Sequence, residues 1–176
     1  MKTLKLLPLL LLFIFASCSS VKVVSDYDKD VNYSKYSTFA FYKPGIDKAQ
    51  ISDLDKKRIL RAIESSLTAK GMSKSETPDI LISIFTKERE RIDVYNNNYG
   101  YWGYGYGPWY HGGTYASSST EGTLFIDLVD AKKNELVWQG IGIADLKLQS
   151  VEKKEARINL IVSKILERYP PGATTK

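Results

Sequence analysis

The side chains able to do chemistry in this chain are few: one histidine, His111, and one cysteine, Cys18. A metal centre or a nucleophile–base pair needs several convergent groups. His111 lies in glycine-rich text, and its nearest acidic residues in sequence are Asp93 and Glu121. One cysteine forms no internal disulfide framework and no multi-cysteine zinc site. Asp127 and Asp130 are three residues apart on an expected strand, so they point to opposite faces and do not form an acid/base pair. Asp127, between Phe125 and Val129, reads as partly buried and hydrogen-bonded, and Asp130 as shaping a turn. Glu121 shares the parity of Asp127 but sits roughly 20 Å away along an extended strand. Gly100, Gly103, Gly105 and Gly107 are not followed by Lys-Ser/Thr or a helix start, so no phosphate loop is indicated. The serines at 117–119 have no placed base. The expectation is a protein that is not an enzyme, with no catalytic residue, no metal and no cofactor.

Cys18 carries a different chemistry. Lys2 and Lys5 precede an apolar run from Leu6 to Phe15, followed by the small residues Ala16 and Ser17. This is the layout of a secretory signal over residues 1–17. The run is about half of the roughly 20 apolar residues a membrane span requires. Phe15-Ala16-Ser17-Cys18 resembles a bacterial lipoprotein signal, which is cut before the cysteine so that its thiol receives diacylglycerol. The place three residues before Cys, usually Leu, is Phe15 here, and the Ser-Cys-Ser-Ser text is similar to Bacteroidota lipoproteins. That resemblance implies lipidation at Cys18 with acyl chains such as palmitate, stable anchoring needing two or more chains. Ser19, a residue other than Asp after the cysteine, points to the outer membrane, and the lack of an acidic run favours the side facing the periplasm. Cleavage would leave 159 of 176 residues, and losing Lys2 and Lys5 would lower the formal charge from +5 to +3. No clustered basic stripe accompanies that mild charge, so no nucleic-acid partner is expected.

The elements that position these residues are legible from periodicity. Residues 18–25 read as a lipidated tether leading into a first strand, with Val21, Val23 and Val24 as β-formers. Thr38–Tyr42 alternates as a strand ended by Pro44-Gly45. Ser52 N-caps a helix to Lys70, with Ile59, Leu60, Ile63 and Leu67 as its apolar stripe and Gly71 as its left-handed stop. Asp79 to about Arg89 predicts a strand apolar on both sides, near the middle of a sheet. Thr120–Asp130 and Leu136–Leu148 form a hairpin through Ala131–Asn134, with Gly140 and Gly142 on the face of Trp138, marking a close approach or a bulge. Ser150 caps a helix over Val151–Arg168, stopped by Pro170-Pro171. The fold class is therefore α+β: an antiparallel or mixed sheet of about five strands with two α-helices packed on one face. One domain spans residues 26–171, and 172–176 form a disordered tail.

Residues 95–115 change character: they hold 7 of the 12 tyrosines, 2 of the 3 tryptophans and 6 of the 12 glycines. Such glycine density suits neither helix nor strand, so a long exposed loop is expected. Tyr99, Tyr101, Trp102, Tyr104, Tyr106, Trp109 and Tyr110 offer rigid amphipathic surface for a sugar ring, a membrane interface or a partner protein. A merely tolerated low-complexity insertion remains the plain alternative.

With DYDKDVNYSKYSTFAFY near the front, GM…PDILISIF after the first helix, EGTLFIDLVDAKKNELVWQGIG and the closing KKEARINLIVSKILERYPP, the chain resembles the bacterial lipoprotein family called domain of unknown function 4136. The resemblance covers most of residues 26–171 and implies an α+β domain facing the periplasm with no established activity. The functional expectation is a non-enzymatic, lipid-anchored cell-envelope protein that binds or assembles with an envelope protein or glycan at the outer membrane. The alternative is a ligand-binding module for lipid, glycan or peptidoglycan that uses the aromatic loop.

Overall fold

Alternating β-branched and aromatic residues must bury one side of a sheet, and two helices with single apolar stripes supply the cover. A computed structural model describes residues 21–95, 115–145 and 150–172. Along the chain run β1 (Lys22–Tyr27), a 3₁₀ turn (Tyr33–Lys35), β2 (Thr38–Phe41) and a short α1 (Lys43–Ile46). Then come α2 (Asp53–Ala69), β3 (Ser73–Lys74), β4 (Ile80–Tyr95), β5 (Tyr115–Asp130), β6 (Glu135–Asp145) and α3 (Val151–Leu166). The sheet order is β1-β6-β5-β4-β2-β3. β1, β6, β5 and β4 pair antiparallel, whereas β2 pairs parallel to both β4 and β3. A parallel pair needs a crossover, and α2 provides it between β2 and β4.

Both long helices begin with serine caps. Ser52 Oγ accepts from the Asp55 amide at 3.2 Å, and Ser150 Oγ accepts from the Lys153 amide at 3.4 Å. Gly71 stops α2 at φ 87°. α2 buries Ile59, Ile63 and Leu67, α3 buries Val162, Ile165 and Leu166, and the sheet answers with Phe39, Ile82, Ile126, Leu128 and Trp138. Each such side chain stabilises the fold by about 1.5–3 kcal/mol. Gly140 and Gly142 let α3 lie close on β6: a Cβ at Gly142 would sit 2.7–3.0 Å from carbons of Ile161 and Ile165.

The link from β1 to β2 crosses one end of the sheet and is pinned to three strands in turn. Tyr33 Oη donates to the Val137 carbonyl on β6, and Tyr36 Oη donates to Asp130 at the end of β5, 2.7 Å away. Asp79, just before β4, accepts from the backbone amides and hydroxyls of Ser37 and Thr38 at 2.8–3.2 Å. Tyr169 closes this end, edge-on to Tyr33 and Trp138.

The expected α+β fold with a mixed sheet and two long helices is present, and four details refine it. Six strands are present among the described residues rather than about five, because the two-residue β3 carries no readable pattern. A third, short helix α1 follows β2. Lys22–Ser25, assigned to the tether, is paired with Gly140–Ile143 in the sheet. The strands flanking the aromatic segment reach Tyr95 and start at Tyr115, six and five residues beyond expectation, since Tyr95 and Tyr115 are themselves a pair. The residues in these extensions have weak apolar alternation, and the partner strand decides their conformation.

Candidate functional site

Two helices on one side leave the other side of the sheet open, and the register arranges that open face in rows. Val24, Ile141, Phe125 and Phe85 stand opposite one another across four strands, an apolar row. Beside it lies a polar row of Asp26, Gln139, Asp127 and Ser83, the last of them packed against Gly45 of α1. A second apolar row follows, Leu136, Val129, Leu81 and Ala40. Opposed side chains on one sheet face stand about 4.5–5.5 Å apart, so each row is a continuous surface. Val24 is 55% exposed, Phe85 42% and Leu136 52%, which sets this face apart from the fully covered helix side.

Electrostatics within the face centre on Asp127. Gln139 Nε2 donates to Asp127 Oδ1 at 2.8 Å. Burial pushes the Asp127 carboxyl above its ordinary value, and the Gln139 bond offsets only part of that. Phe85 and Phe125 contact each other with centroids 5.7 Å apart, and the Lys87 ammonium lies 5.6 and 5.7 Å from their rings. An exposed cation–π contact of this kind contributes about 0.5–1 kcal/mol and still leaves the ammonium facing water.

Three other carboxylates, of which Asp130 is buried, serve the fold. Burial would raise the pKa of Asp130, but the Tyr36 hydroxyl, the amides of Lys133 and Lys132 and the Lys35 ammonium together hold it far below the ordinary carboxylate range. Asp79 is lowered chiefly by the Ser37 amide and the Thr38 hydroxyl. Asp55, at the start of α2, joins Ser52, Arg58 and Lys154 and so ties α2 to α3. Each of these carboxylates is already engaged by several protein donors, which is the signature of structural pins.

The sequence-derived site residues divide cleanly. Cys18, His111 and the aromatic residues Tyr99, Tyr101, Trp102, Tyr104, Tyr106, Trp109 and Tyr110 lie outside the described residues. Asp127 is half-buried and hydrogen-bonded, and Asp130 bonds its own turn, both as expected; they do point to opposite faces. Sequence reasoning missed Asp79 and the Tyr36 partner of Asp130. The available signal for Asp79 was a lone carboxylate at the mouth of the apolar strand Ile80–Phe85. Among the described residues no group of three or more His, Cys, Asp or Glu is placed to hold a metal. The described surface also carries a shallow depression at the sheet edge, lined by Phe39, Phe41 and Lys74 among others.

A family model described as Domain of unknown function (DUF4136) matches residues 23–171. No curated protein sequence matches the chain. Among solved structures, a PDZ domain protein from Parabacteroides distasonis aligns with TM-score 0.54 at 17% identity, covering 89% of this chain and 37% of that one. This chain thus corresponds to little more than a third of that protein. The PelC dodecamer from Paraburkholderia phytofirmans aligns with TM-score 0.51 at 12% identity, covering 84% of this chain and 95% of the PelC chain. These likenesses establish a shared fold.

Proposed function

The chain belongs to the DUF4136 family, and from that premise we propose that it is a non-enzymatic, lipid-anchored component of the bacterial cell envelope. It is held by acylated Cys18 at the outer membrane, faces the periplasm, and presents a surface for binding or assembly with an envelope protein or glycan. The observation that carries the binding role is the open sheet face, where two apolar rows flank the polar row centred on Asp127. A face of that pattern suits a partner with its own apolar–polar–apolar striping, because each Asp127 or Gln139 lone pair left dry would otherwise cost about 1–3 kcal/mol. The aromatic segment is the second contact surface in this reading. The anchor reading draws on the signal-like residues 1–17 and on Phe15-Ala16-Ser17-Cys18.

The test compares three proteins after detergent extraction: wild type, a deletion of residues 97–113, and Ile141→Lys on the open face. Ile141→Lys should lose copurifying envelope components while keeping a wild-type unfolding curve. Identical partner profiles for all three proteins would sink both contact surfaces.

A further inference from the structure

The two ends of the sheet are not equivalent, and strand polarity places the anchor at one of them. β1 starts at Lys22, which stands level with Ile143 of β6, Thr123 of β5 and, through Thr123, Lys87 of β4. The chain therefore arrives from Cys18 at this end. Four peptide steps separate Cys18 from Lys22, and a fully extended chain spans at most about 3.3–3.6 Å per residue, hence about 14 Å. At the same end β4 and β5 run on as a two-stranded ribbon. Eight further pairs follow Lys87, from Glu88↔Gly122 to Tyr95↔Tyr115. Among the described residues β6 accompanies only the first two, with Asp145 opposite Glu121. At about 3.3 Å per residue the ribbon extends about 26 Å past the level of Lys22.

The ribbon is thus longer than the leash on the side where the leash is attached. With Cys18 acylated, its α-carbon is at the headgroup level, and a ribbon aimed the same way overshoots it by about 12 Å, the difference between the two spans. A tilt of the domain shortens that depth but lays the ribbon along the surface instead. The sequence changes along the ribbon in the matching order: Lys87-Glu88-Arg89-Glu90-Arg91 falls within reach of the leash, and Ile92-Asp93-Val94-Tyr95 beyond it. Charged residues suit the headgroup layer, and tyrosine is enriched at the boundary between headgroups and acyl chains.

We propose that the paired ribbon Glu90–Tyr95 with Tyr115–Thr120 is a membrane-contact element, resting on or entering the bilayer leaflet that holds Cys18. It fixes the orientation of the domain, with the ribbon down and the Asp130 turn up. This inference rests on the lipid-anchor reading above, so the experiment reads the two separately. The full-length acylated protein has no free thiol, so Tyr95→Cys supplies a single site for an environment-sensitive fluorophore. Tyr115→Cys is made in parallel in case one variant fails to fold, and Ser65→Cys, exposed on the far half of α2, is the reference. Each is reconstituted in phosphatidylethanolamine–phosphatidylglycerol vesicles, with and without bromine-labelled acyl chains. Mass spectrometry of the same samples reports the lipid on Cys18. Contact at the depth of interfacial segments, ~5–10 Å, should quench about half the emission at Tyr95→Cys or Tyr115→Cys and leave Ser65→Cys unchanged. Equal, unquenched emission at all three sites with the lipid present overturns the ribbon and leaves the anchor standing. A mature Cys18 without lipid overturns the anchor, and the proposal with it.

Discussion

Asp127 and Asp130 lie three residues apart on β5 and answer to opposite environments. Asp130 is 4% exposed and accepts from Tyr36, the amides of Lys132 and Lys133, and Lys35. Asp130→Asn should destabilise by about 2–3 kcal/mol, because the amide no longer carries the charge these donors converge on and the Lys35 partner is lost. The folded-state pKa of Asp130 is depressed, so its contribution is full above the unfolded carboxylate value and fades as pH falls toward the folded one. Urea midpoints should therefore drop between about pH 5 and pH 3 in the wild type and drop less in Asp130→Asn. Asp127 is the reverse case. Its folded pKa is raised by burial, so its ionised form opposes folding above that value. Asp127→Asn, which keeps a side chain able to meet Gln139, should raise stability near neutral pH by about 0.5–1 kcal/mol, read as a higher urea midpoint. A stabilising replacement that also weakens partner capture is the pattern expected of a residue retained for binding.

At the level of elements, α3 against β6 is a tight seam. Gly142→Val would drive a branched side chain into Ile161 and Ile165, costing about 1–3 kcal/mol through displaced packing. A lowered melting temperature with unchanged far-ultraviolet helicity is the expected result, and an unchanged melting temperature would refute the seam. This close approach was readable in advance from Gly140 and Gly142 sharing a face with Trp138. So were α2 and α3, whose stripes and serine caps are local signals, and the β5–β6 hairpin with Asn134 at φ 55°. What stayed illegible is non-local. The parallel β2–β4 pairing depends on where a crossover helix returns the chain, and the partner of the Val23–Val24 strand is β6, more than a hundred residues away. The open face likewise needed the register: Phe85, Asp127 and Ile141 are far apart in sequence, and only pairing sets them in adjacent rows.

For the whole molecule, the anchor reading makes the most direct prediction. Cys18→Ala should move the protein from the membrane fraction to the soluble fraction or leave its signal segment uncut. Unchanged fractionation and mass would refute lipidation. The family match over residues 23–171 and the two fold likenesses concern the body of the chain, so this experiment tests what they leave to residues 1–22. Which carboxylates serve the fold could be settled only in three dimensions, because the donors of Asp79 and Asp130 come from the strap between β1 and β2, roughly forty and ninety residues away in sequence.

β2 pairs with β4 only as far as Ile82, and the following part of β4 carries Lys87-Glu88-Arg89-Glu90-Arg91. In a two-fold antiparallel union of two such edges, residues of the same parity must stand opposite. The basic positions 87, 89 and 91 are all odd, and the acidic positions 88 and 90 are all even. Registries centred on Glu88 or Arg89 therefore set base against base and acid against acid, and like charges directly opposite are destabilising. Centred zipping of two copies along this part of β4 is thereby disfavoured, a safeguard against edge-to-edge aggregation.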